Sequence, residues 1–335
     1  MPRPVLRRWS RPARSIGCRS AGLSWSLVSE PVIVARDLVK RYGDFAAVDG
    51  ISFEVAPGES FGLLGPNGAG KSTTMRMVGA VSTRTAGDLS ILGLDPDAYG
   101  PEIRSQLGVV PQSDNLDTEL RVRENLLVYG RYFGLPGRVV AKRADELLAF
   151  AQLEEKGKAK VDSLSGGMKR RLTIARGLIN DPRILLLDEP TTGLDPQARH
   201  VLWDRLFRLK ERGTTLVLTT HYMDEAEQLC DRLVVVDKGR IMAEGTPASL
   251  IREHSSREVL EVRFGSDRNE KVAPQLQGIG ERVEVLPDRI LIYTDNGEQA
   301  LERITAQGLE PITSLVRRSS LEDVFLRLTG RSLIE

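Results

Sequence analysis

The sequence is poor in cysteine and lacks long apolar runs, and both shortages narrow the class of protein. Its 335 residues include two cysteines, Cys18 and Cys230, which are far apart and lack metal-ligand spacing. This pattern argues against a disulfide framework or a zinc site, and it fits a reducing cytoplasm. No apolar stretch approaches the roughly 18–20 residues that span a bilayer. We therefore expect a globular, soluble chain whose membrane role, if any, comes through a partner.

Net charge is also small, at +1 for the whole chain, but it is unevenly distributed. Residues 1–29 carry six arginines and no acidic residue, which leaves −5 for the remainder. This segment has no hydrophobic periodicity, so we interpret it as a disordered basic tail or as the result of a start codon assigned too far upstream. A transit peptide and a lipid-binding tail are the alternatives. Because the body is mildly acidic, no nucleic-acid partner is expected.

A glycine-rich segment near the start of the body reads Gly65-Pro66-Asn67-Gly68-Ala69-Gly70-Lys71-Ser72-Thr73. It follows an apolar run at 61–64 and precedes a predicted helix at 71–78, which is the order of elements that a phosphate-binding loop requires. Glycines let successive backbone N–H groups cradle phosphate oxygens, and Lys71 adds a full positive charge. Ser72 is suitably placed to bind Mg²⁺. The segment therefore predicts a nucleotide site.

A second apolar run, at 184–187, ends in two carboxylates, Asp188 and Glu189. Such a run is typical of a buried parallel strand that delivers its last residues to the carboxyl edge of a sheet. Asp188 can hold Mg²⁺ there, directly or through water. Glu189 can orient or deprotonate an attacking water, so it is the candidate general base.

Three more residues are candidates because of their positions next to predicted strands. Gln112 follows a short strand, and its amide could reach Mg²⁺ and the attacking water. His221 ends another strand, where ligands bind in open α/β sheets, and we expect it to contact the γ-phosphate, although a structural role is the alternative. Tyr42 lies at a turn before the phosphate loop, where it is suited to stack on adenine, with a core position as the alternative.

The order of the predicted elements indicates an α/β fold with several parts. Strands and helices alternate after residue 184, which predicts a parallel sheet flanked by helices. Strands within 32–55 predict an antiparallel β-layer, and 118–178 an inserted helical subdomain, so that 30–252 form one nucleotide-binding domain. Residues 253–335 predict a separate small α+β domain of ferredoxin-like topology, with one of its helices near 272–278.

One further segment, Leu164-Ser165-Gly166-Gly167-Met168, precedes a predicted helix. Taken alone, Ser165 could be an ordinary helix N-cap and the glycines an ordinary loop. Together they form a second anion-binding helix terminus in a chain that has one phosphate loop. The motifs resemble, in their order along the chain, those of ATP-binding cassette (ABC) ATPases: Tyr42, the phosphate loop, Gln112, the signature at 164–167, Asp188 with Glu189, Gly193-Leu194-Asp195 and His221.

The resemblance covers roughly residues 32–250 and implies a function. In the family two cassettes dimerise head to tail, and each binds ATP and Mg²⁺. By this resemblance, Ser165, Gly166 and Gly167 of one copy contact the ATP held by the other copy, and Asp195 belongs to the same ATP site. It also implies an integral membrane permease as partner, and a peripheral location on the cytoplasmic face of the bacterial inner membrane.

Details of the signature narrow the resemblance to one branch. Met168 stands where many members have Gln, and with Lys169, Arg170 and Arg171 it resembles ABC-2-type exporters of drugs, lipids and glycolipids, including daunorubicin-resistance ATPases. Segments at 109–116, 123–134 and 175–182 are similar to ATPase subunits of rhizobial nodulation-factor exporters, which move a lipo-chitooligosaccharide. The resemblance therefore implies an ATP-hydrolysing exporter subunit.

Two other classes of cassette protein share these motifs. The alternative is a soluble ABC ATPase acting on ribosomes or DNA, but such proteins usually carry a second cassette, coiled-coil arms or zinc-site cysteines. An inactive regulatory cassette is disfavoured because Glu189 and His221 are both present. By resemblance to such exporter ATPases, the C-terminal domain is expected to serve in dimer contact or regulation.

Overall fold

The computed structural model of the chain describes residues 30–265 and 268–330. The segment 1–29, which we predict to be a disordered tail, lies outside the described residues. In chain order, the elements are β1 (Ile33–Tyr42), β2 (Phe45–Val55), β3 (Ser60–Leu64), α1 (Lys71–Val78), β4 (Ala86–Ile91), α2 (Gly100–Arg104), β5 (Leu107–Val110), α3 (Val122–Tyr132), α4 (Gly137–Ala151), α5 (Gly166–Gly177), β6 (Ile184–Asp188), α6 (Pro196–Glu211), β7 (Thr215–Thr220), α7 (Met223–Leu229), β8 (Arg232–Asp237), β9 (Arg240–Gly245), α8 (Pro247–His254), β10 (Glu258–Arg263), α9 (Asn269–Val272), β11 (Arg282–Val285), β12 (Ile290–Thr294), α10 (Gly297–Ala306), β13 (Thr313–Arg318) and α11 (Leu321–Thr329).

A six-stranded central sheet forms the core of the nucleotide-binding part, with the order β5-β6-β7-β3-β8-β9. Neighbouring strands are parallel from β5 to β8, and β9 is antiparallel to β8. The four apolar residues of β6 are all buried, because helices cover both faces of the sheet. The prediction of a parallel sheet is confirmed. Its carboxyl edge collects the residues that follow β3, β5, β6 and β7.

An antiparallel layer of three strands has the order β2-β1-β4, with β1 and β2 before the phosphate loop in the chain and β4 after it. The sequence predicts the strands of β1 and β2 but not β4. The apolar residues of β4 are confined to Leu89 and Ile91, which are buried, so its alternating pattern is too short to stand out. The tight turn between β1 and β2 pairs Tyr42 with Phe45 and brings both rings to the layer's end.

A helical region, α3 to α5, interrupts the strand and helix alternation between β5 and β6, as predicted. Helix α4 packs against both α3 and α5. Its buried residues include Val140, Ala144, Leu147 and Leu148, which recur at the spacing of one helix face. Helix α5 then runs from the signature segment back to β6, so the helical region is tied to the central sheet.

The C-terminal sheet has the order β11-β12-β10-β13, and all of its neighbouring strands are antiparallel. With α9 after β10 and α10 after β12, this is the ferredoxin-like arrangement that we predict. The predicted helix at 272–278 is wrong. Helix α9 ends at Val272 and a 3₁₀ segment, Ala273–Leu276, replaces its continuation, because Pro274 has no N–H to donate.

The last helix, α11, packs on the nucleotide-binding part rather than on its own sheet alone. It contacts α7 and α8, and its Leu321, Val324 and Phe325 are buried in the same apolar cluster as Leu229 and Leu250 of those helices. The backbone N–H of Leu321 also donates to Glu227 Oε1 at 2.7 Å. The chain's C-terminal helix therefore completes the nucleotide-binding core. Within the described ranges, none of the helices combines the length and apolar character needed to cross a membrane.

Candidate functional site

The phosphate loop connects the end of β3 to the start of α1, and two of its glycines are required by close backbone contacts. A Cβ on Gly65 would lie 2.1 Å from the carbonyl oxygen of Val236, which no side chain can tolerate. Gly70 has φ +100°, and a Cβ there would lie 2.3 Å from the carbonyl oxygen of Ala47. The loop is therefore wedged between two neighbouring segments of the chain.

Lys71, the first residue of α1, is buried with 4% of its side chain exposed. Its Nζ donates to the carbonyl oxygens of Gly65 at 2.7 Å and Pro66 at 3.0 Å, and it lies 3.8 Å from Glu189 Oε1. Burial lowers the pKa of Lys71, whereas the charges of Glu189 and Asp188 raise it. The predicted phosphate-binding cation is thus held at the loop, close to both carboxylates.

Oxygen donors from three elements meet beside the loop. Ser72 Oγ donates to Asp188 Oδ1 at 3.0 Å, and Thr219 Oγ1 donates to the same oxygen at 2.5 Å. A hydroxyl and a carboxylate are the hard oxygen ligands that Mg²⁺ prefers, and the ion usually keeps several waters. Ser72 and Asp188 therefore fit a magnesium site shared with nucleotide phosphates.

Glu189 lies at the centre of the predicted catalytic residues and is 6% exposed. Gln112 Nε2 donates to Glu189 Oε2 at 3.0 Å, Thr192 Oγ1 donates to the same oxygen at 3.1 Å, and His221 Nδ1 lies 3.3 Å from Oε1. Its backbone has φ +46°, in the left-handed region, and its N–H donates to Thr219. The structure thus brings Gln112, Glu189 and His221 together with Lys71, as the sequence predicts.

A cavity of about 450 Å³ opens over the loop, between it and the antiparallel layer. Its lining comprises Tyr42, Phe45, Ala47, Asn67, Gly68, Ala69, Gly70, Lys71, Ser72, Thr73, Gln112 and Glu189. Tyr42 is half exposed and Phe45 is 65% exposed, so both rings present a free face to a planar ligand. Phe45 is missing from the sequence-based candidates. The sequence could have indicated Phe45, because it is a second aromatic residue three positions after Tyr42 and a tight turn does not require an aromatic side chain.

Ser165, Gly166, Gly167 and Asp195 stand apart from the lining of that cavity. Ser165 is the N-cap of α5, and its hydroxyl accepts a hydrogen bond from Met168 N at 3.3 Å. Asp195 is the N-cap of α6 and accepts from Ala198 N at 2.8 Å. A Cβ on Gly167 would lie 3.4 Å from Ala198 Cβ, so the two helix starts are neighbours. The predicted ATP-binding residues therefore form two separate groups on one chain.

Comparison with known proteins bears on this arrangement. The ABC transporter family model matches residues 48–192, and the model for the C-terminal domain of nodulation factor export protein NodI matches residues 269–330. The Nod factor export ATP-binding protein I of Rhizobium sp. (strain N33) is 52% identical over 303 residues, which are 90% of this chain and 98% of that protein. The chain belongs to this family of ABC ATPases. The corresponding protein of Burkholderia pseudomallei (strain K96243) is 50% identical to this ABC ATPase, over 88% of this chain and 96% of its own.

Solved structures agree with the fold of this ABC ATPase. The structure of the ATP-binding subunit of an ABC transporter is 31% identical, covers 66% of this chain and 92% of its own, and has a TM-score of 0.61. A dimeric structure of a post-hydrolysis state of the ATP-binding cassette MJ0796 bound to ADP and Pi is 29% identical, covers 64% and 98%, and has a TM-score of 0.59. The chain is an ATP-hydrolysing subunit of an exporter, and the alternative of an ABC ATPase acting on ribosomes or DNA finds no support.

Proposed function

We propose that two copies of this ABC ATPase bind two ATP molecules between them, each between the phosphate loop of one copy and the signature segment of the other. The supporting observation is that the two groups of ATP-binding residues lie apart on a single chain. The first group lines the cavity over the phosphate loop, whereas Ser165, Gly167 and Asp195 stand outside it. A second copy, turned head to tail, can supply the missing group to each cavity.

Within each composite site, the residues of the chain have separate roles. The loop N–H groups and Lys71 hold the phosphates, and the half-exposed Tyr42, beside Phe45, stacks on adenine. Ser165 and Gly167 of the second copy contact the γ-phosphate. Mg²⁺ would be held by Ser72 and Asp188, and Gln112 would belong to the same metal site. When bound, it would neutralise charge on the phosphates.

Glu189 acts as general base on the attacking water, and its neighbours prepare it for that role. Gln112 and Thr192 donate to Oε2, which fixes the carboxylate, while Oε1 faces Lys71 and His221. Once Lys71 turns to the phosphates, Oε1 is free to accept a proton from water. His221 then contacts the γ-phosphate. Catalysis here consists mainly of positioning and electrostatic stabilisation, so each group depends on the others.

The exported compound is a lipo-chitooligosaccharide of the Nod factor type, and the chain drives a separate integral membrane permease. The support for this cargo is the name of relatives at about half identity over nine-tenths of the chain, with the match of the C-terminal domain as well. The chain would act as a peripheral subunit at the cytoplasmic face of the bacterial inner membrane, where ATP is supplied.

Transport by inside-out membrane vesicles tests the cargo. Vesicles from cells that carry the wild-type chain should take up a labelled lipo-chitooligosaccharide when ATP is added, and vesicles with Lys71→Ala should not. Lys142→Ala, at an exposed helix lysine paired with Glu146, is the matched control and should transport normally. Equal uptake by wild-type and Lys71→Ala vesicles would contradict the cargo assignment.

A further inference from the structure

The signature helix α5 carries a buried arginine, Arg170, to which the proposed mechanism assigns no role. Its side chain is 3% exposed. Nε donates to the carbonyl oxygen of Pro190 at 2.8 Å, and Nη2 donates to those of Asp188 and Glu189, both at 3.1 Å. The carbonyl oxygens of the last residue of β6 and of the two residues that follow it, including that of the candidate general base, are therefore bound by one guanidinium group.

The third nitrogen of Arg170 binds the segment that follows β5. Nη1 donates to the carbonyl oxygens of Pro111 at 2.5 Å and Gln112 at 3.3 Å, and it lies 3.5 Å from Asp114 Oδ1. Asp114 is itself fixed to α5, because Thr173 Oγ1 donates to the same oxygen at 3.0 Å. One side chain thus joins α5 to the backbone of both Gln112 and Glu189.

Burying the charged guanidinium group of Arg170 costs free energy, and its hydrogen bonds and ion pair offset that cost. Burial lowers the pKa of Arg170, and Asp114 is the nearest compensating charge. If one partner of such a buried pair is removed, the other partner is left unpaired in the interior, which is destabilising. The side chains around Arg170 therefore tolerate few other geometries. Arginine suits it because its donors form a rigid planar fork, whereas a lysine ammonium could satisfy fewer of these carbonyl groups at once.

We propose that Arg170 is a positioning residue, which holds Gln112 and Glu189 of its own copy in register by anchoring their backbone to α5. The inference rests on the proposed catalytic roles of those two residues and adds the group that sets their geometry. Arg170 is buried and acts through them. A displacement of a catalytic group by about 1 Å can reduce turnover on the order of 10²-fold. Loss of the Arg170 guanidinium group should therefore lower kcat.

Arg171, the next residue of α5, provides a matched control. Its Nη1 donates to Ala151 O at 2.8 Å and Gln152 Oε1 at 3.1 Å, so it joins α5 to the helical region and not to the catalytic segments. In the full chain with its permease, Arg170→Met should lower kcat for ATP by about 10–100-fold and leave KM within about threefold of wild type. Arg170→Lys should recover part of that loss. Arg171→Met should keep the wild-type kcat.

A loss of folding would not hide the result. Arg170→Met leaves Asp114 without its partner, so the double variant Arg170→Met/Asp114→Asn removes both charges and should fold if the single variant does not. Melting temperatures of all variants are measured beside kcat. If Arg170→Lys and the double variant both hydrolyse ATP at the wild-type rate, the positioning role is wrong.

Mixed dimers separate this role from a merely structural one. When Lys71→Ala and Gly167→Asp chains are mixed, the one intact site uses the phosphate loop and Glu189 of the Gly167→Asp chain and the signature of the Lys71→Ala chain. Adding Arg170→Met to the Gly167→Asp chain should lower the rate by about 10–100-fold. Adding it to the Lys71→Ala chain should have a much smaller effect.

The outcome depends on which chain of the mixed dimer carries Arg170→Met, and this distinguishes a positioning role from a structural one. Equal losses in both placements, or a larger loss in the chain that supplies the signature, would mean that Arg170 serves the fold or the signature, and would overturn the proposal. If the mixture without Arg170→Met shows no activity, the composite dimer of the proposed function is wrong. If Glu189→Gln hydrolyses ATP normally, the proposed general base is wrong, and the positioning role falls with it.

Discussion

Glu189 is the residue on which the proposed chemistry depends most. Its carboxylate receives hydrogen bonds from Gln112 and Thr192, and its other oxygen lies near Lys71 and His221. Replacing it by glutamine keeps the shape and removes the ability to accept a proton. The phosphate loop stays intact, so nucleotide binding and hydrolysis should separate in this variant.

Glu189→Gln should bind ATP with near wild-type affinity, lose about 10²–10⁴-fold in turnover, as expected for a general base, and accumulate an ATP-bound dimer. Binding of a fluorescent ATP analogue, phosphate release and sedimentation velocity measure the three effects. Glu155→Gln, at an exposed position, is the control. Normal phosphate release by Glu189→Gln would mean that another group is the base.

Lys71 supplies the full positive charge at the phosphate loop. Lys71→Ala should abolish productive binding of Mg-ATP, because the loop N–H groups carry only partial charges. Isothermal titration with ATP and Mg²⁺ measures the affinity, with the exposed Lys142→Ala as control. Undiminished affinity and turnover in Lys71→Ala would contradict the assigned role.

Glu225 in α7 is fully buried and gives the chain a predicted dependence of stability on pH. Burial raises its pKa to about 7. Between its unfolded value near 4.5 and this folded value, the folded state holds the proton and the unfolded state does not, so the free energy of unfolding falls as pH rises. The loss is complete about one pH unit above the folded pKa.

Glu225→Gln should therefore be more stable than wild type at pH 8, by up to about 3 kcal/mol, and similar to it near pH 4. Urea unfolding at several pH values measures the difference. The same change at the exposed Glu253 is the control. A profile for Glu225→Gln that runs parallel to that of wild type would contradict this assignment.

Residues in short motifs could be predicted from the sequence, whereas those defined by packing could not. Lys71, Asp188, Glu189 and their partners belong to motifs whose spacing along the chain already indicates the chemistry. Phe45 and Arg170 have only weak sequence signals, a second aromatic residue near Tyr42 and a basic run after the signature. Their contacts come from segments distant along the chain, so their roles become visible only in the fold. The structure therefore adds to the candidate site the residues that support it.

At the level of elements, those with strong local signals could be predicted and those with weak ones could not. Helix α1 has the limits predicted for it, 71–78, since the phosphate loop fixes where it begins. Strand β4 pairs with β1 over a short, mostly exposed segment, so only tertiary pairing reveals it. The sequence also did not predict that α11 packs on α7 and α8, because an amphipathic helix does not specify which surface it covers.

That packing of α11 can be tested with one substitution. Phe325 is fully buried in the apolar cluster of the nucleotide-binding part, so Phe325→Ala should cost about 3–5 kcal/mol and lower the melting temperature of that part. Leu315→Ala, at a leucine that is 56% exposed in the same C-terminal domain, is the control. Thermal unfolding followed by ATP-analogue binding reports on the nucleotide-binding part. An unchanged midpoint for Phe325→Ala would mean that α11 does not stabilise it.

At the scale of the whole molecule, the two groups of predicted ATP-binding residues lie apart on one chain. The phosphate loop and catalytic residues surround one cavity, and the helix starts at Ser165 and Asp195 lie elsewhere. The order of the motifs along the chain indicated both groups of residues, but their separation on one chain is a property of the fold. The central claim is that a second copy joins them.

Complementation between two inactive chains tests this claim most directly. Gly167→Asp should bind ATP through its intact phosphate loop yet hydrolyse none, and Lys71→Ala should do neither. Mixed in equal amounts with the permease, they should regain about one quarter of the wild-type ATPase rate, because half of randomly paired dimers are mixed and each has one of its two sites intact. If mixed dimers are demonstrated and the ATPase rate does not rise above that of either variant alone, the head-to-tail arrangement is wrong.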